Sequence, residues 1–439
     1  MILARIALRN VCKNWRHSLS ALLSISAGFI ALVLFNGYID DIQNMNISFF
    51  QSRNEMGHFF IQDHRIFSKE GMAEPWKYYI NPADQDVLQN FFKKHNNLIK
   101  ISVRYLDFQG VITNGQQSTI VIGRGVDVPE AYQIRGPRWQ WNSTYGLPLH
   151  LSTQKNDILL GQGLSKKLGC KWVSDSGLQP SLGFYEQKVR PFECNSLDMQ
   201  IATLTFTAQL NALDVKTIGL IDGGIKEVDE NLAVTSLETA QELLDTKLVS
   251  FLSVELYRDL DFENVESIFK SEVQSARPHL KLTRWQEHPY GSVYRKTMSF
   301  LILFKNFFVA VILIISVMSV INTLIKTVRE RSPEIGTMRS LGFRSAQVLK
   351  LFLYEGSLLA LFECSIGAVL ALVISFIINR LQILYKAGML SEPVMFQIAV
   401  SFKIYLAAFG VLAVVSMLAS YLVTRQLLKQ KIIFNLKEA

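Results

Sequence analysis

Four long apolar segments constrain the fold of this 439-residue chain more than any other feature of its sequence. They run over about 18–39, 298–325, 351–379 and 402–422, and each contains the roughly 20 residues that a helix needs to cross a bilayer. Composition agrees, because 49% of the residues are hydrophobic and only 19% are charged. The sequence therefore predicts an α-helical membrane protein with four transmembrane helices.

Basic residues gather at the ends of these segments. Four precede the first segment, six lie between the second and third, and four follow the fourth. By the positive-inside rule these three regions are cytoplasmic, as are both termini, and the long region between the first two segments is outside. Because the basic residues collect at the membrane, the net charge of +8 does not indicate a nucleic-acid partner.

The first apolar segment has two interpretations. A cleaved signal peptide has an apolar stretch of 7–15 residues and an A-x-A-like site after it. Here the stretch is longer and no such site follows. We therefore interpret the segment as a retained transmembrane anchor.

Apolar residues continue beyond the first segment at alternating spacings of three and four. This pattern is typical of a helix that packs on a partner helix, and polar residues occupy its other face. It predicts a stalk that extends outside the membrane, whereas the alternative is a loop with chance periodicity. The residues of the seam are Phe35, Tyr38, Ile42, Met45 and Phe49.

The sequence between the first two segments predicts a large α+β extracytoplasmic domain. Alternating strand patterns flank an Asn114-Gly115 turn, and Ser236 caps a predicted helix over 236–245. Strands and helices occur at both ends, so we predict two lobes, with an inserted lobe at about 125–220. Cys170 and Cys194 both lie there, and an oxidising compartment permits a disulfide between them. The alternative is two buried free thiols.

The third apolar segment carries a stripe of small residues, which allow transmembrane helices to approach closely. Chance is the alternative, since apolar helices are rich in small residues. The same segment holds Glu355, placed at the cytoplasmic headgroup level, and the deeper Glu363, whose role the sequence does not give. The stripe consists of Gly356, Ala360, Cys364 and Ala368.

Motifs of catalysis and metal binding are absent from the sequence. There is no G-x-x-x-x-G-K-[ST], no H-E-x-x-H and no paired C-x-x-C, and the seven histidines are scattered. The sequence therefore predicts no nucleotide binding through a P-loop, no catalytic residue and no metal site.

The loop after the second segment, RERSPEIGTMRSLGF, combines arginines with an ordered core. With the four-segment layout, it resembles the permease subunits of the MacB, LolC/LolE and FtsX superfamily of ABC transporters, whose loop has an E-I-G-x-x-R-x-x-G core. The chain shows no fused ATPase and has a large outer domain, and in these two respects its layout is most similar to the lipoprotein-releasing LolC/LolE branch. The matching residues are Glu334, Ile335, Gly336, Arg339 and Gly342.

The resemblance implies that this loop forms a coupling helix, which docks on a separate cytoplasmic ABC ATPase dimer. The sequence fits, because Ile335, Met338 and Leu341 follow one another at spacings of three, as in an apolar helix face. A helix that lies on anionic lipid is the alternative.

The resemblance also implies a transporter subunit that is not itself an enzyme and that has a mechanical function. ATP and Mg²⁺ would bind the partner ATPase, with no cofactor on this chain, and the stalks would transmit its motion to the outer domain. The partners would be a second permease copy or paralogue, membrane lipid, and a periplasmic chaperone or adaptor. Lipoprotein release is the expected function. The alternatives are tripartite efflux of drugs or peptides and a scaffold that moves no substrate and regulates cell-envelope enzymes.

These expectations divide the chain, in a bacterial inner membrane, into nine regions. They are a cytoplasmic amphipathic segment (1–17), the first transmembrane helix with its stalk (18–53), the periplasmic core domain (54–290), a stalk with the second transmembrane helix (291–325), the cytoplasmic coupling loop (326–350), the third transmembrane helix (351–379), a short periplasmic loop (380–401), the fourth transmembrane helix (402–424) and a cytoplasmic tail (425–439).

Overall fold

The computed structural model describes residues 15–139, 144–172, 189–330, 332–385 and 394–428. The predicted amphipathic segment 1–17 and tail 425–439 lie almost wholly outside the described residues. The chain divides into two compact units. One, the membrane unit, contains the long apolar helices, and the other, the outer unit, comprises Met45–Lys296 with Leu384–Met395.

The elements are numbered here in chain order over the described residues. The helices are α1 (Trp15–Ser48), α2 (Lys69–Ala73), α3 (Pro82–Lys94), α4 (Val128–Trp139), α5 (Gln162–Lys167), α6 (Lys226–Asp229), α7 (Leu237–Leu243), α8 (Phe262–Phe269), α9 (Ser292–Glu330), α10 (Ser332–Ser340), α11 (Ser345–Leu381) and α12 (Phe402–Leu428). The strands are β1 (Phe59–Asp63), β2 (Ile99–Thr113), β3 (Ser118–Val126), β4 (Tyr145–Gly146), β5 (Asp157–Gly161), β6 (Cys170–Trp172), β7 (Phe192–Cys194), β8 (Asp198–Leu204), β9 (Leu210–Ile221), β10 (Leu232–Ser236), β11 (Phe251–Leu256), β12 (Leu280–Arg284), β13 (Leu384–Tyr385) and β14 (Val394–Met395).

Four helices in the described part of the chain are long and apolar enough to cross a membrane. Together with the α+β outer unit they confirm the predicted fold class. The candidate spans are Ile25–Arg53, Pro289–Ser319, Ser345–Leu381 and Phe402–Arg425.

The small-residue stripe of α11 lies in the packed interior of the membrane unit. Cys364 is buried in one apolar cluster with Phe29 of α1 and Leu412 of α12, and Ala368 packs against that cluster. Ala360 is also buried, and a Cβ atom on Gly356 would lie 2.4 Å from Ser420 Oγ on α12. Small side chains at these positions therefore permit the close helix contacts.

Both glutamates of α11 are buried. The exposed fraction is 6% for Glu355 and 1% for Glu363. The backbone oxygen of Glu363 accepts a hydrogen bond from Ser26 Oγ on α1 at 2.8 Å, which joins the two helices. Its carboxylate oxygen Oε1 has no hydrogen-bond partner among the described residues.

A mixed sheet forms the centre of the outer unit. Over the described residues it has ten strands in the order β12-β1-β11-β2-β3-β10-β5-β9-β4, with β8 pairing to β2 and β9. The pairs β3–β10 and β5–β9 are parallel, and the others are antiparallel. Strands β5, β8 and β9 fall within the predicted inserted lobe, yet they belong to the same sheet as the flanking strands. The sheet therefore does not divide at 125–220.

Local signals in the sequence explain several of these elements. Asn114 Oδ1 accepts hydrogen bonds from the backbone N–H groups of Gln116 and Gln117, which closes the β2–β3 hairpin. Ser236 Oγ accepts from the N–H of Thr239 at 3.1 Å and caps α7, as predicted from the sequence.

Cys170 and Cys194 are disulfide-bonded. They lie opposite each other in the antiparallel pair of β6 and β7, which also pairs Trp172 with Phe192. The bond joins residues 24 positions apart. It therefore closes the segment that separates these two short strands.

We predict that the disulfide stabilises the outer unit by about 3 kcal/mol, since it restricts the unfolded chain. Reduction should lower the thermal midpoint of the wild type to that of the Cys170→Ser/Cys194→Ser variant. The reductant should leave the midpoint of that variant unchanged. Non-reducing peptide mapping should recover the linked cysteines, and recovery of both as alkylated free thiols would contradict the bond.

Candidate functional site

The predicted coupling helix, α10, is short and has a defined end. Leu341 donates its N–H to Thr337 O at 3.0 Å, and Phe343 donates to Met338 O at 3.1 Å across Gly342. Gly342 has a φ of +92°, the left-handed conformation typical of this helix-ending motif. The glycine of the predicted core therefore allows the chain to turn from α10 towards α11.

The structure places the predicted coupling residues on two elements. Glu334, Ile335, Gly336, Met338 and Arg339 lie within α10, whereas Leu341 and Gly342 follow its last residue. Leu341 is 76% exposed and Met338 is half-buried. Because α10 ends at Ser340, Leu341 belongs to the turn after the helix.

An exposed apolar group that was absent from the prediction lies in the same turn. The side chain of Phe343 is 39% exposed, and it follows the exposed Leu341 with only Gly342 between them. A helical spacing rule could not identify Phe343, because the residue lies outside the helix. This turn presents an apolar pair that a partner protein or a lipid surface would cover.

The predicted stalk seam contacts several different elements. In the membrane unit, the Phe35 and Phe308 ring centroids are 5.4 Å apart, which joins α1 to α9. Tyr38 lies 4.8 Å from Phe396, just after β14, and Ile42 is 9% exposed. Phe35 therefore contacts the helix formed by the second apolar segment, while Tyr38 has another neighbour.

The last two seam residues belong to the outer unit, where Met45 is half-buried. Phe49 begins a π-helical turn, Phe49–Arg53, rather than continuing α1. Its ring lies against Gly224, where an added Cβ atom would lie 1.8 Å from the ring. Phe49 therefore contacts the segment after β9.

A buried polar cluster, the entry junction, fixes the chain where it enters the outer unit. Glu55 has a φ of +57°, and its carboxylate forms an ion pair with Arg135 of α4. The backbone oxygen of Glu55 accepts hydrogen bonds from Tyr105 Oη at 2.8 Å and Ser253 Oγ at 2.7 Å. The junction thus connects the entering chain to a helix and to two strands.

The ion pair in the entry junction is shielded from solvent, with 7% of the Arg135 side chain and 8% of the Glu55 side chain exposed. Breaking such a pair leaves one charge buried without its partner, which is strongly destabilising. No sequence motif indicated this contact, because the two residues are 80 positions apart.

A second ion pair holds the π-helical turn. The Arg53 guanidinium contacts Asp222 Oδ2 at 2.9 Å and the backbone oxygen of the same residue at 3.1 Å. Burial alone would raise the pKa of the Asp222 carboxyl, but the charge of Arg53 and hydrogen bonds from its neighbours lower the pKa below its usual value. Asp222 therefore remains ionised and paired at neutral pH.

Aromatic rings connect the incoming and outgoing chains of the outer unit. Phe50 stacks on the fully buried Trp285 at a centroid distance of 5.4 Å, and Trp285 contacts Tyr294 at 4.7 Å. Phe50 follows α1, and Tyr294 lies in the first turn of α9. The ends of both long helices thus meet in one aromatic cluster.

The predicted coupling helix is followed by an exposed apolar turn, and buried charges and rings hold the segments where the chain enters and leaves the outer unit. Within the described residues, no group of three His, Cys, Asp or Glu side chains could hold a metal ion.

Comparison with known proteins finds similarity to transporter permeases. Residues 306–432 match the family described as FtsX-like permease C-terminal, a range that contains α10 and α11 entirely. The chain is 24% identical over 237 residues to the lipoprotein-releasing system transmembrane protein LolC of Neisseria meningitidis. It is 23% identical over 299 residues to the corresponding LolE of Haemophilus influenzae.

These matches are partial. They cover 52% and 65% of this chain, and 50% and 64% of the LolC and LolE chains. The ABC transporter permease YtrF of Bacillus subtilis is also similar, at 22% identity over 252 residues, which is 52% of this chain and 55% of YtrF.

Two solved structures also resemble the chain, each at 10% identity. The periplasmic region of MacB from Actinobacillus actinomycetemcomitans has a TM-score of 0.33 and covers 55% of this chain and 92% of its own. The extracellular domain of YknZ from Gram-positive bacteria has a TM-score of 0.32 and covers 52% of this chain and 98% of its own.

We predict that Arg135→Met lowers the free energy of unfolding of the outer unit by about 3–5 kcal/mol, because Glu55 would remain buried without its partner. The additional change Glu55→Gln should recover much of this loss, since it removes the charge. Thermal or chemical unfolding of the purified chain measures both effects.

Lys155→Met is the control for this prediction, since it removes a similar ion pair with Glu242 at the surface. It should leave the unfolding midpoint nearly unchanged. If Arg135→Met behaved like Lys155→Met, the entry junction would not be a structural anchor.

Proposed function

We propose that the chain belongs to the superfamily of ABC transporter permeases that includes FtsX, MacB and the LolC and LolE proteins, and that it is the permease subunit of a lipoprotein-releasing type of transporter. The observation that carries the proposal is that the FtsX-like match, residues 306–432, contains the whole coupling helix and its turn. The similarity to LolC and LolE supports the finer assignment.

In this proposal a separate ABC ATPase dimer in the cytoplasm binds ATP and Mg²⁺, and α10 docks on it. The exposed Leu341 and Phe343 supply the apolar part of the contact. The arginines of this loop suit an acidic rim on the ATPase, as they would also suit anionic lipid. Both termini of the chain lie in the cytoplasm of a bacterial cell, as the basic residues at the membrane ends indicate.

Helix continuity gives the proposed path of movement. The coupling helix lies between α9 and α11, and both α1 and α9 contain residues of the membrane unit and of the outer unit. The entry junction and the aromatic cluster hold the outer ends of these helices. A displacement of α10 on ATP binding would therefore reach the outer unit through continuous helices.

A second permease, either another copy or a paralogue, is the proposed partner of α9. Only 6% of the most apolar part of this helix is buried within the chain. Phe300, Phe304 and Phe307 are 59%, 43% and 62% exposed, and their spacing of four and three places them on one face. Membrane lipid would cover whatever part of α9 the second permease leaves open.

The proposed cargo is a lipid-anchored protein that enters from the membrane, passed to a periplasmic chaperone. The chain would be isolated with its ATPase in lipid nanodiscs, and the bound molecules identified by protein and lipid mass spectrometry. Recovery of lipidated proteins supports the proposal. Recovery of hydrophobic compounds or peptides with an adaptor would indicate efflux, and recovery of a cell-wall hydrolase without cargo would indicate a regulatory scaffold.

We predict that Gly342→Trp uncouples the ATPase from the permease. A steric clash is not the cause of the uncoupling, because nothing lies within 4 Å of a Cβ atom added at Gly342. The cause is the φ of +92°, which is strained for residues other than glycine. Cargo-stimulated ATP hydrolysis should fall by about tenfold, while Gly342→Asn, a residue that tolerates this conformation, should retain most of it. Equal rates for the two variants would contradict the role of the turn.

Glu334→Lys reverses a charge within the coupling helix and should also weaken docking. We expect less ATPase to co-purify with this variant, with an unchanged thermal midpoint of the outer unit. Normal co-purification and normal cargo-stimulated hydrolysis would remove Glu334 from the docking contact.

We predict that Ile42→Asp/Met45→Asp abolishes transport but preserves assembly with the ATPase. Ile42 is buried and Met45 is half-buried, so both charges would enter a packed region of the stalk. Gln43→Asp/Asn44→Asp, which adds two charges at neighbouring exposed positions, is the control and should transport cargo normally. Normal transport by the first variant would show that this part of α1 transmits no movement.

A further inference from the structure

Two of the membrane helices have a basic residue directly before a long uncharged segment. In α9 the segment 306–325 contains no Asp, Glu, Lys or Arg, and it lies between Lys305 and Lys326. Its length of roughly 20 residues corresponds to about 30 Å of helix, which is the thickness of the hydrocarbon core. In α12 the segment 404–424 follows Lys403 and is likewise uncharged and nearly as long. Lys305 and Lys403 therefore mark the points where these helices enter the hydrocarbon core.

Packing within the membrane unit defines the depth of a third basic residue, Arg380, at the end of α11. Its neighbour Asn379 donates an amide hydrogen bond to Ile398 O at 3.0 Å and accepts one from the N–H of the same residue at 2.9 Å. A Cβ atom added to Gly37 of α1 would lie 2.7 Å from Ala399 O. The end of α11 and the chain that leads to α12 therefore lie beside Gly37.

Lys305 lies at nearly the same depth as Gly37. The rings of Phe308 on α9 and Phe35 on α1 are in contact, with centroids 5.4 Å apart. The end of α1 and the start of α9 belong to the outer unit, so the outward direction is towards Gly37 on α1 and towards Lys305 on α9. Lys305 lies three residues outward of this contact and Gly37 two, a difference of about 1.5 Å in depth. Lys305 and Arg380 therefore mark one boundary.

We call Lys305, Arg380 and Lys403 the outer-boundary cations. Lys305 is half-buried, and the other two are exposed. None of them forms an ion pair within the described part of the chain. The side chains three and four positions away from each are apolar, so helical spacing supplies no partner either. Among the described residues, the positive charges at this boundary are therefore unopposed.

The location of these charges is unusual. Lys and Arg concentrate at the cytoplasmic ends of membrane helices and are scarce at the other end. Here α9, α11 and α12 each have one at the outer boundary, with no Asp or Glu within four residues of it. A protein partner would cover the helix face on which it packs, whereas lipid surrounds all three helices. Lipid headgroups also lie at this depth, just outside the hydrocarbon core.

We propose that the outer-boundary cations bind the phosphate groups of anionic phospholipids in the outer leaflet. Lys and Arg form strong charge-assisted hydrogen bonds with phosphate oxygens. A lipid with a net negative charge, such as phosphatidylglycerol, complements this boundary better than zwitterionic phosphatidylcholine. These contacts set the depth at which α9 leaves the membrane. The inference requires only that the helices cross a bilayer, and it does not depend on the cargo of the permease.

The test uses the full-length chain in phosphatidylcholine nanodiscs that contain a small share of a photoreactive lipid. One probe is a phosphatidylglycerol and the other a phosphatidylcholine, each with a diazirine in its headgroup. Peptide mass spectrometry locates the labelled residues. We expect the phosphatidylglycerol probe to label the peptides around the three cations more strongly than the phosphatidylcholine probe does. Unlabelled phosphatidylglycerol should compete with it.

Removal of the charges should remove this preference. One Lys or Arg near the membrane surface strengthens the binding of anionic lipid about fivefold. Lys305→Gln should therefore weaken labelling of its own peptide by phosphatidylglycerol about fivefold and leave the other two peptides nearly unchanged. Lys305→Gln/Arg380→Gln/Lys403→Gln should lose the preference at all three. Labelling around Lys326, at the opposite end of the uncharged segment of α9, should stay at the wild-type level and is the internal control.

A charge-conserving variant is the matched control for the triple exchange. Lys305→Arg/Arg380→Lys/Lys403→Arg should retain the preference for phosphatidylglycerol, since it changes the same three side chains and keeps their charge. Loss of the preference in this variant as well would show that the charge of these residues does not attract the lipid.

Two further results would overturn the proposal. One is equal labelling of the boundary peptides by the two probes in the wild type. The other is an unchanged preference in the triple glutamine variant at the wild-type thermal midpoint. If the triple variant does not reach that midpoint, the single glutamine variants decide the question, because each is scored at its own peptide. Unchanged labelling in all three would then contradict lipid binding.

Discussion

A lipid bilayer offers no water to backbone N–H and C=O groups, so a single chain segment can cross it only as a continuous helix. This constraint determines how the two units are joined. Helix α9 has 39 residues, about 58 Å at 1.5 Å per residue, whereas the hydrocarbon core is about 30 Å thick. A helix of that length must continue well beyond the membrane. The predicted stalk is therefore a continuation of the same helix whose internal hydrogen bonds allow its backbone to cross the membrane.

The change from helix to sheet requires a defined backbone bend at the end of the stalk. At the end of α1 the bend consists of the π-helical turn Phe49–Arg53 and of Glu55 in a left-handed conformation. A non-glycine residue in this region costs on the order of 1–3 kcal/mol and persists only where its surroundings hold it. Arg135, Tyr105 and Ser253 supply that restraint through the side chain and backbone of Glu55. These contacts therefore hold the bend in one conformation.

The sequence predicted features with a local or periodic signal. The length of the apolar segments predicted the four membrane helices, and the Asn114-Gly115 turn predicted the β2–β3 hairpin. The ordered residues around Gly336 predicted a helix between two spans. Contacts between distant positions have no such signal. Glu55 and Arg135, or Gln62 and His288, meet only because the fold brings β1 and the residues just before it near residues that lie far away in the chain. Spacing rules likewise extended the stalk seam past Ser48, where packing against Gly224 replaces the helical repeat.

The segment where the chain enters the outer unit and the segment where it leaves are held by different kinds of interaction. Stacked rings such as Phe50 and Trp285 contribute about 0.5–1.5 kcal/mol beyond their buried area and tolerate small shifts. A buried ion pair such as Glu55–Arg135 tolerates little displacement, because separating its charges exposes each to an apolar environment. The ion pair thus fixes the orientation of the incoming chain. The rings of Phe50, Trp285 and Tyr294 keep the first turn of the outgoing helix beside the incoming chain.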